Sequence, residues 1–297
     1  MFDNVTKSYG NIKALDSISF EVENGSITGF VGPNGAGKTT SIRIMAGLLL
    51  PERGSVRING ENPFSSIKMR ERTFFIMDTI NIPPNANIYD YFLHLSKIYQ
   101  FDSSSIKDAF KSLDIWPARN RTVRQLSAGM KQKAQLAIAL CASADLIIAD
   151  EPASNMDPTA RMQLYETITR INRERKTTFF ISSHILTELE RVIDSVIIIG
   201  RGRKLTQSKI SDFKSRASGK YGVNALKIHV SDIKAASTAV RVLAVEGNAI
   251  VVSAEPGQLG RLITAIESAG VTVLSVEKER FDLGEVFSEV VSNEQIA

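Results

Sequence analysis

The chain has almost no cysteine. Cys141 is the only one in 297 residues, which excludes a disulfide framework and a thiolate metal site. Cys141 sits in a helical apolar pattern with Leu136, Ile138 and Leu140, so it reads as a packed thiol and not a reactive one. Long apolar runs are missing too. No stretch approaches the ~20 residues that span a bilayer, and the N-terminus lacks the charged-then-apolar layout of a secretory signal. The expectation from both is a cytoplasmic protein. No long heptad run is present either, which argues against a coiled-coil insertion.

What remains is ordinary globular composition, 43% hydrophobic and 23% charged, in a chain long enough for two domains. The net charge of +4 is uneven. Arg201 to Arg216 sets six basic residues against the single acid Asp212, and the chain from Lys220 onward is net acidic. With Ser208, Ser215, Ser218 and Gly219 this stretch predicts a solvated linker over 206–220, with contact to anionic lipid as the alternative. It lacks a series of stacking aromatics, so no nucleic-acid partner is expected.

Before that linker, compact apolar runs alternate with helical patterns. Ile27 to Val31, Ser55 to Ile58, Thr73 to Met77, Asp145 to Ala149, Thr177 to Ser182 and Ser195 to Ile199 have strand length and composition. Helical spacing marks Ser41 to Leu48, Pro158 to Asn172 and Ile185 to Ile193. The alternation predicts an α/β domain over 1–205 with a mostly parallel sheet. Ile88 to Tyr99, Ser104 to Leu113 and Ala128 to Cys141 are helical only, so an all-helical subdomain, about 79–142, interrupts the sheet. After 221 the pattern restarts as a small α+β domain: strands at Leu226 to Val230, Ala249 to Ser253 and Val271 to Val276, and helices at Asp232 to Leu243, Gly257 to Ala269 and Leu283 to Val291.

The chemistry begins at Gly32-Pro33-Asn34-Gly35-Ala36-Gly37-Lys38-Thr39, directly after an apolar strand. Glycines let successive backbone N–H groups converge on one point, and the following helix aims its positive end there. This predicts a phosphate cradle formed by Asn34, Gly35, Ala36, Gly37, Lys38, Thr39 and Thr40. Lys38 reaches the outer phosphates and Thr39 offers a hydroxyl to Mg²⁺. The run Leu146-Ile147-Ile148-Ala149 then delivers Asp150 and Glu151 at a strand's carboxyl end, where parallel sheets place their ligands. Asp150 suits Mg²⁺ as a hard oxygen ligand, and Glu151 can accept a proton from an attacking water. Such a pair capping a strand is also an ordinary turn. Leu126-Ser127-Ala128-Gly129-Met130 heads a long helix, where Ser127 is both a natural N-cap and part of a second anion site.

Taken together, these three segments resemble an ABC transporter nucleotide-binding subunit of the P-loop NTPase fold, whose LSGGQ signature stands here as LSAGM. The resemblance implies that Ser127 and Gly129 contact a nucleotide held by a second protomer, with Asp157 of Ser154-Asn155-Met156-Asp157-Pro158 helping to pair the two. It implies that Tyr9 stacks on adenine and that His184, in Ser182-Ser183-His184, contacts the γ-phosphate. Aligning Arg72 to Tyr91 puts Asp78 where a metal-ligating glutamine is usual, which puts metal affinity and coupling to the membrane partner in question. The opening Phe2-Asp3-Asn4-Val5 leaves little room for the family's first strand, so that strand is expected shortened or its start trimmed. Beyond Gly219, Phe281-Asp282-Leu283-Gly284-Glu285-Val286-Phe287 loosely matches the closing helix of drug-exporter ATPases of the daunorubicin-resistance group.

The expected protein is therefore an Mg·ATP-dependent ATPase at the inner face of the cell membrane. It would work with a second copy of itself or a related ATPase subunit and drive an integral membrane permease, in export. A soluble ABC ATPase and a slow ATP-sensing regulator are the alternatives.

Overall fold

The computed structural model describes residues 1–77, 82–217, 225–254 and 257–278. The chain divides into two compact units, and among the described residues the division along the sequence falls between Ile210 and Ser211.

The first unit opens with strands β1 (Phe2–Tyr9) and β2 (Ile12–Phe20), which pair antiparallel. β1 is a full strand of eight residues, contrary to the shortened strand expected. β3 (Ile27–Val31) runs into α1 (Lys38–Met45), followed by β4 (Arg53–Val56), α2 (Ile67–Arg72) and β5 (Thr73–Ile76). Three helices come next: α3 (Ile88–Tyr99), α4 (Ser104–Ser112) and α5 (Ala128–Cys141). The alternation resumes with β6 (Leu146–Ala149), α6 (Pro158–Arg175), β7 (Thr178–Ser183), α7 (Leu186–Leu189), β8 (Ser195–Gly200) and β9 (Arg203–Lys209).

Six of these strands form one sheet in the order β5-β6-β7-β3-β8-β9, parallel except for the antiparallel β9. β3 and β7 are buried at every position, as strands covered on both faces must be. A smaller antiparallel sheet, β2-β1-β4, packs on this one through aromatic rings. Phe20 stacks on Phe2 at 4.4 Å between centroids and lies 5.9 Å from Phe180, which in turn sits 5.1 Å from Phe30. The three middle helices leave the sheet after β5 and return to it at β6, its neighbour. Their own core includes Phe92 and Phe110, edge to face at 4.7 Å.

Residues 206–217, expected as a linker, belong to regular elements instead. β9 extends to Lys209 and α8 (Ile210–Ala217) follows directly. The basic residues of β9 sit on an edge strand, where exposed charge discourages pairing with another chain.

The second unit carries β10 (Ala225–Val230), α9 (Ile233–Ala239), β11 (Val242–Glu246), β12 (Ala249–Ser253), α10 (Leu259–Ser268) and β13 (Val273–Lys278). Its sheet is wholly antiparallel, ordered β11-β12-β10-β13. Ile228, Val230, Ile250 and Val252 bury one face against Ala236 and Ile266 of the helices. The helix expected over Asp232 to Leu243 ends at Ala239, because 242–246 pairs with β12 as a strand. The helix expected over Leu283 to Val291, with the motif at Phe281 to Phe287, lies outside the described residues.

Candidate functional site

Parallel pairing brings the carboxyl ends of β6, β7 and β3 side by side. Ala149 is level with Ile181, and Val31 with Ser183. The residues that follow, Asp150 and Glu151, Ser182 to His184, and the loop from Gly32, therefore meet at one edge of the sheet.

The loop is close-packed and permits side chains only at selected places. A Cβ on Gly32 would lie 2.3 Å from the Ile199 carbonyl oxygen, and one on Gly37 2.5 Å from that of Ala14. Gly37 also holds φ +106°, open to glycine alone in practice. Lys38, 6% exposed, donates from Nζ to the carbonyls of Gly32 at 2.8 Å and Pro33 at 3.3 Å. The same ammonium lies 3.2 Å from Glu151 Oε1. Glu151 Oε2 meets His184 Nδ1 at 2.9 Å, so the carboxylate bridges lysine and histidine. Thr39 Oγ1 donates to Asp150 Oδ2 at 3.0 Å. Glu151 itself has φ +44°, an uncommon backbone conformation for a residue with a side chain.

The remaining expected residues are elsewhere. Tyr9 is exposed at the tip of the β1–β2 hairpin, opposite Ile12. Ala14, two residues further along β2, is the neighbour that abuts Gly37, so the hairpin approaches the cradle. Ser127 caps α5 by accepting from Met130 N at 3.3 Å, and Asp157 caps α6 by accepting from Ala160 N at 2.9 Å. Gly129 faces Ala160, so the starts of α5 and α6 form a second cluster. Asp78 lies outside the described residues.

Three features escaped the sequence. Ser182 links Asp150 to Glu151 through one hydroxyl. Arg161 pairs with Glu188, four residues beyond His184, and donates to the Met156 carbonyl at 3.1 Å, which ties the loop before α6 to the segment after β7. Gln132 and Gln135, both buried, close on Met77: Gln135 Nε2 donates to Gln132 Oε1 at 2.9 Å and to Met77 O at 3.2 Å, and Gln132 Nε2 to the same carbonyl at 3.3 Å. Tyr165, buried on α6, has its hydroxyl pushed up to about 12, chiefly by burial; Arg161 opposes the shift and the Glu151 carboxylate adds to it.

Known proteins share this sequence pattern and fold. The sequence pattern of the family described as ABC transporter fits residues 15–154. The bacitracin transport ATP-binding protein BcrA of Bacillus licheniformis is 31% identical over 97% of this chain and 95% of its own length. The chain belongs to the ABC transporter family. The Nod factor export ATP-binding protein I of Paraburkholderia xenovorans is 32% identical over 69% of each chain. A solved structure of an ABC transporter ATP-binding subunit superposes with a TM-score of 0.63 at 25% identity, over 72% of this chain and 91% of the other. As a member of this family the protein is an ATP-binding cassette subunit that hydrolyses ATP, on a P-loop α/β fold. Among the described residues no helix is long and apolar enough to cross a membrane.

Proposed function

We propose that the protein is the ATPase subunit of an exporter, sits on the cytoplasmic face of the membrane through a permease subunit, and closes on ATP as a dimer. The observation that carries this reading is the Glu151 carboxylate held between Lys38 and His184, beside the Asp150–Thr39 pair.

In this reading, the N–H groups of Gly35 to Thr40 and the Lys38 ammonium take the phosphates. Glu151 accepts the proton of the attacking water, and His184 holds Glu151 and meets the γ-phosphate. Tyr9 stacks on the base. Ser127, Gly129 and Asp157 complete the nucleotide site of the partner protomer. The donor set fits Mg²⁺: Thr39 and Asp150 bring hydroxyl and carboxylate oxygens within 3.0 Å of each other. Held by Thr39 and Asp150, Mg²⁺ would supply positive charge against the phosphate oxygens. Asp78 is a further proposed ligand.

Export is supported by the relatives. The Nod factor protein is named for export, and the likeness to the bacitracin protein runs through the second unit as well as the cassette. The permease is assigned to the start of α3, beside a cleft of about 480 Å³ lined by Ile82, Pro84, Lys131 and Asn155. The test is to purify the complex with its membrane subunit and cross-link cysteines placed at 88–91. Cross-links confined to the permease support the reading, and an intact complex with none rejects this docking face.

A further inference from the structure

We infer that Ser182 is a positioning residue for hydrolysis, one hydroxyl that sets both the Asp150 carboxylate and the backbone that carries Glu151. The inference rests on the roles proposed above for those two acids. Ser182 is fully buried. Its Oγ donates to Asp150 Oδ1 at 2.6 Å and accepts from the Glu151 N–H at 2.9 Å. Donor and acceptor capacity of the hydroxyl are thus both used on consecutive residues of β6's end.

The register explains why a residue of another strand can do this. Ala149 is level with Ile181 in the parallel pair β6–β7, so the next step sets Asp150 beside Ser182. β7 lies between β6 and β3, and its Ser183 carbonyl accepts from Gly32 N at 3.2 Å, the first residue of the cradle. Ser182 therefore sits where the acid pair and the phosphate loop are tied to a common strand.

Two consequences follow from the chemistry. A carboxylate is fixed in rotation when both oxygens are held: Ser182 holds Oδ1, and Thr39 holds Oδ2, which with the Thr39 hydroxyl is the oxygen pair proposed for Mg²⁺. The positive φ of Glu151 persists only if surrounding groups over-determine it. At the backbone its N–H donates to Ser182 at 2.9 Å and its carbonyl accepts from Ser154 N at 3.1 Å, while Lys38 and His184 hold the side chain. Without the hydroxyl, Asp150 regains rotation and Glu151 relaxes, although the phosphate cradle is untouched.

The full-length chain tests this with Ser182→Ala and Ser182→Cys, the second of which fills the same space with a poor hydrogen-bond partner. A fluorescent ATP analogue should bind with wild-type affinity in EDTA, and the gain in affinity on adding Mg²⁺ should shrink. The kcat should fall roughly ten- to hundredfold, the range of a lost hydrogen bond to a charged group, with KM for ATP little changed. If both variants keep wild-type kcat and Mg²⁺ response while Glu151→Gln stalls, Ser182 has no positioning role and the site reading stands. Loss of analogue binding in EDTA would assign Ser182 to the architecture of the cradle and overturn the inference equally. Full turnover in Glu151→Gln would instead remove the site reading beneath it.

Discussion

Lys38 Nζ and Glu151 Oε1 lie 3.2 Å apart, with the lysine buried and the carboxylate partly open to solvent. The ammonium is shared, because it also donates to the Gly32 and Pro33 carbonyls. In the proposed mechanism an incoming phosphate would compete for the same ammonium, so one charge would both bind ATP and neutralise the base. Glu151→Gln keeps the size of the side chain and removes its proton affinity. Turnover should fall at least about a hundredfold, the usual contribution of a positioned base. ATP binding should persist, and an ATP-dependent dimer should accumulate. Phosphate release and size-exclusion chromatography with ATP check both. Undiminished turnover would take Glu151 out of the mechanism.

Two of the three glycines of the loop, Gly35 and Gly37, separate strain from collision. Gly35 has φ +79° with open space around its missing Cβ, whereas Gly37 at φ +106° faces the Ala14 carbonyl at 2.5 Å and the Leu15 side chain at 2.7 Å. A residue forced into positive φ costs about 1–2 kcal/mol. Asparagine tolerates that region, so Gly35→Asn should fold and lose about 1 kcal/mol or less by denaturant titration. Gly37→Ala must also move the backbone of β2, and should lose nucleotide binding altogether. Equal behaviour of the two variants would mean that the β2 contact does not shape the cradle.

How much of this was readable from residues alone depended on whether the signal was local. The helix over Ala128–Cys141 and the strand over Ile27–Val31 coincide with their apolar patterns, since each carries its period within itself. The opening hairpin is different. Register shifts interrupt β1 against β2, and Asn4 and Ser17 adopt positive φ, so the alternation that marks a strand is broken. β9 reads as charged linker because it is an edge strand, and only its pairing with β8 makes it a strand. At the site, Lys38, Thr39 and the acid pair announce themselves by spacing. Ser182 does not, because its role exists only once β6 and β7 are aligned to the residue.

Gln135 shows the same limit on a helix. It reads as part of the polar face of α5, yet it is buried, and with Gln132 it occupies the Met77 carbonyl. Met77 N also donates to Gln135 Oε1 at 3.4 Å, so one side chain answers both backbone groups of the residue before Asp78. The helix that starts at the signature is thereby fastened to the loop after β5. Gln135→Leu leaves buried backbone groups without that partner and should cost about 1–3 kcal/mol in chemical denaturation. In the complex with its permease, the variant should keep its ATP affinity and lose stimulation by transported substrate. Retained stability and stimulation would show the clamp to be dispensable.

Tyr165 predicts a dependence on alkaline pH whose sign follows from burial. Its hydroxyl is pushed from the ordinary 10.0 up to about 12 in the folded chain, first by burial, with the Arg161 charge working against it and the Glu151 carboxylate with it. The unfolded chain therefore releases this proton at lower pH than the folded one. Stability from this group is fully present below pH ~10, falls through the interval up to about 12, and is flat beyond, because the unfolded state binds fewer protons there. A shift of that size corresponds to about 2–3 kcal/mol across the interval. Other side chains also titrate in this range, so the comparison with Tyr165→Phe isolates the effect. The wild type should lose stability more steeply than the variant above pH ~10 in denaturant titrations. Adding Glu151→Gln to the wild type should make its slope shallower, since one of the charges that raises the Tyr165 value is gone. Parallel slopes for wild type and Tyr165→Phe would place the hydroxyl in contact with water, against its burial on α6.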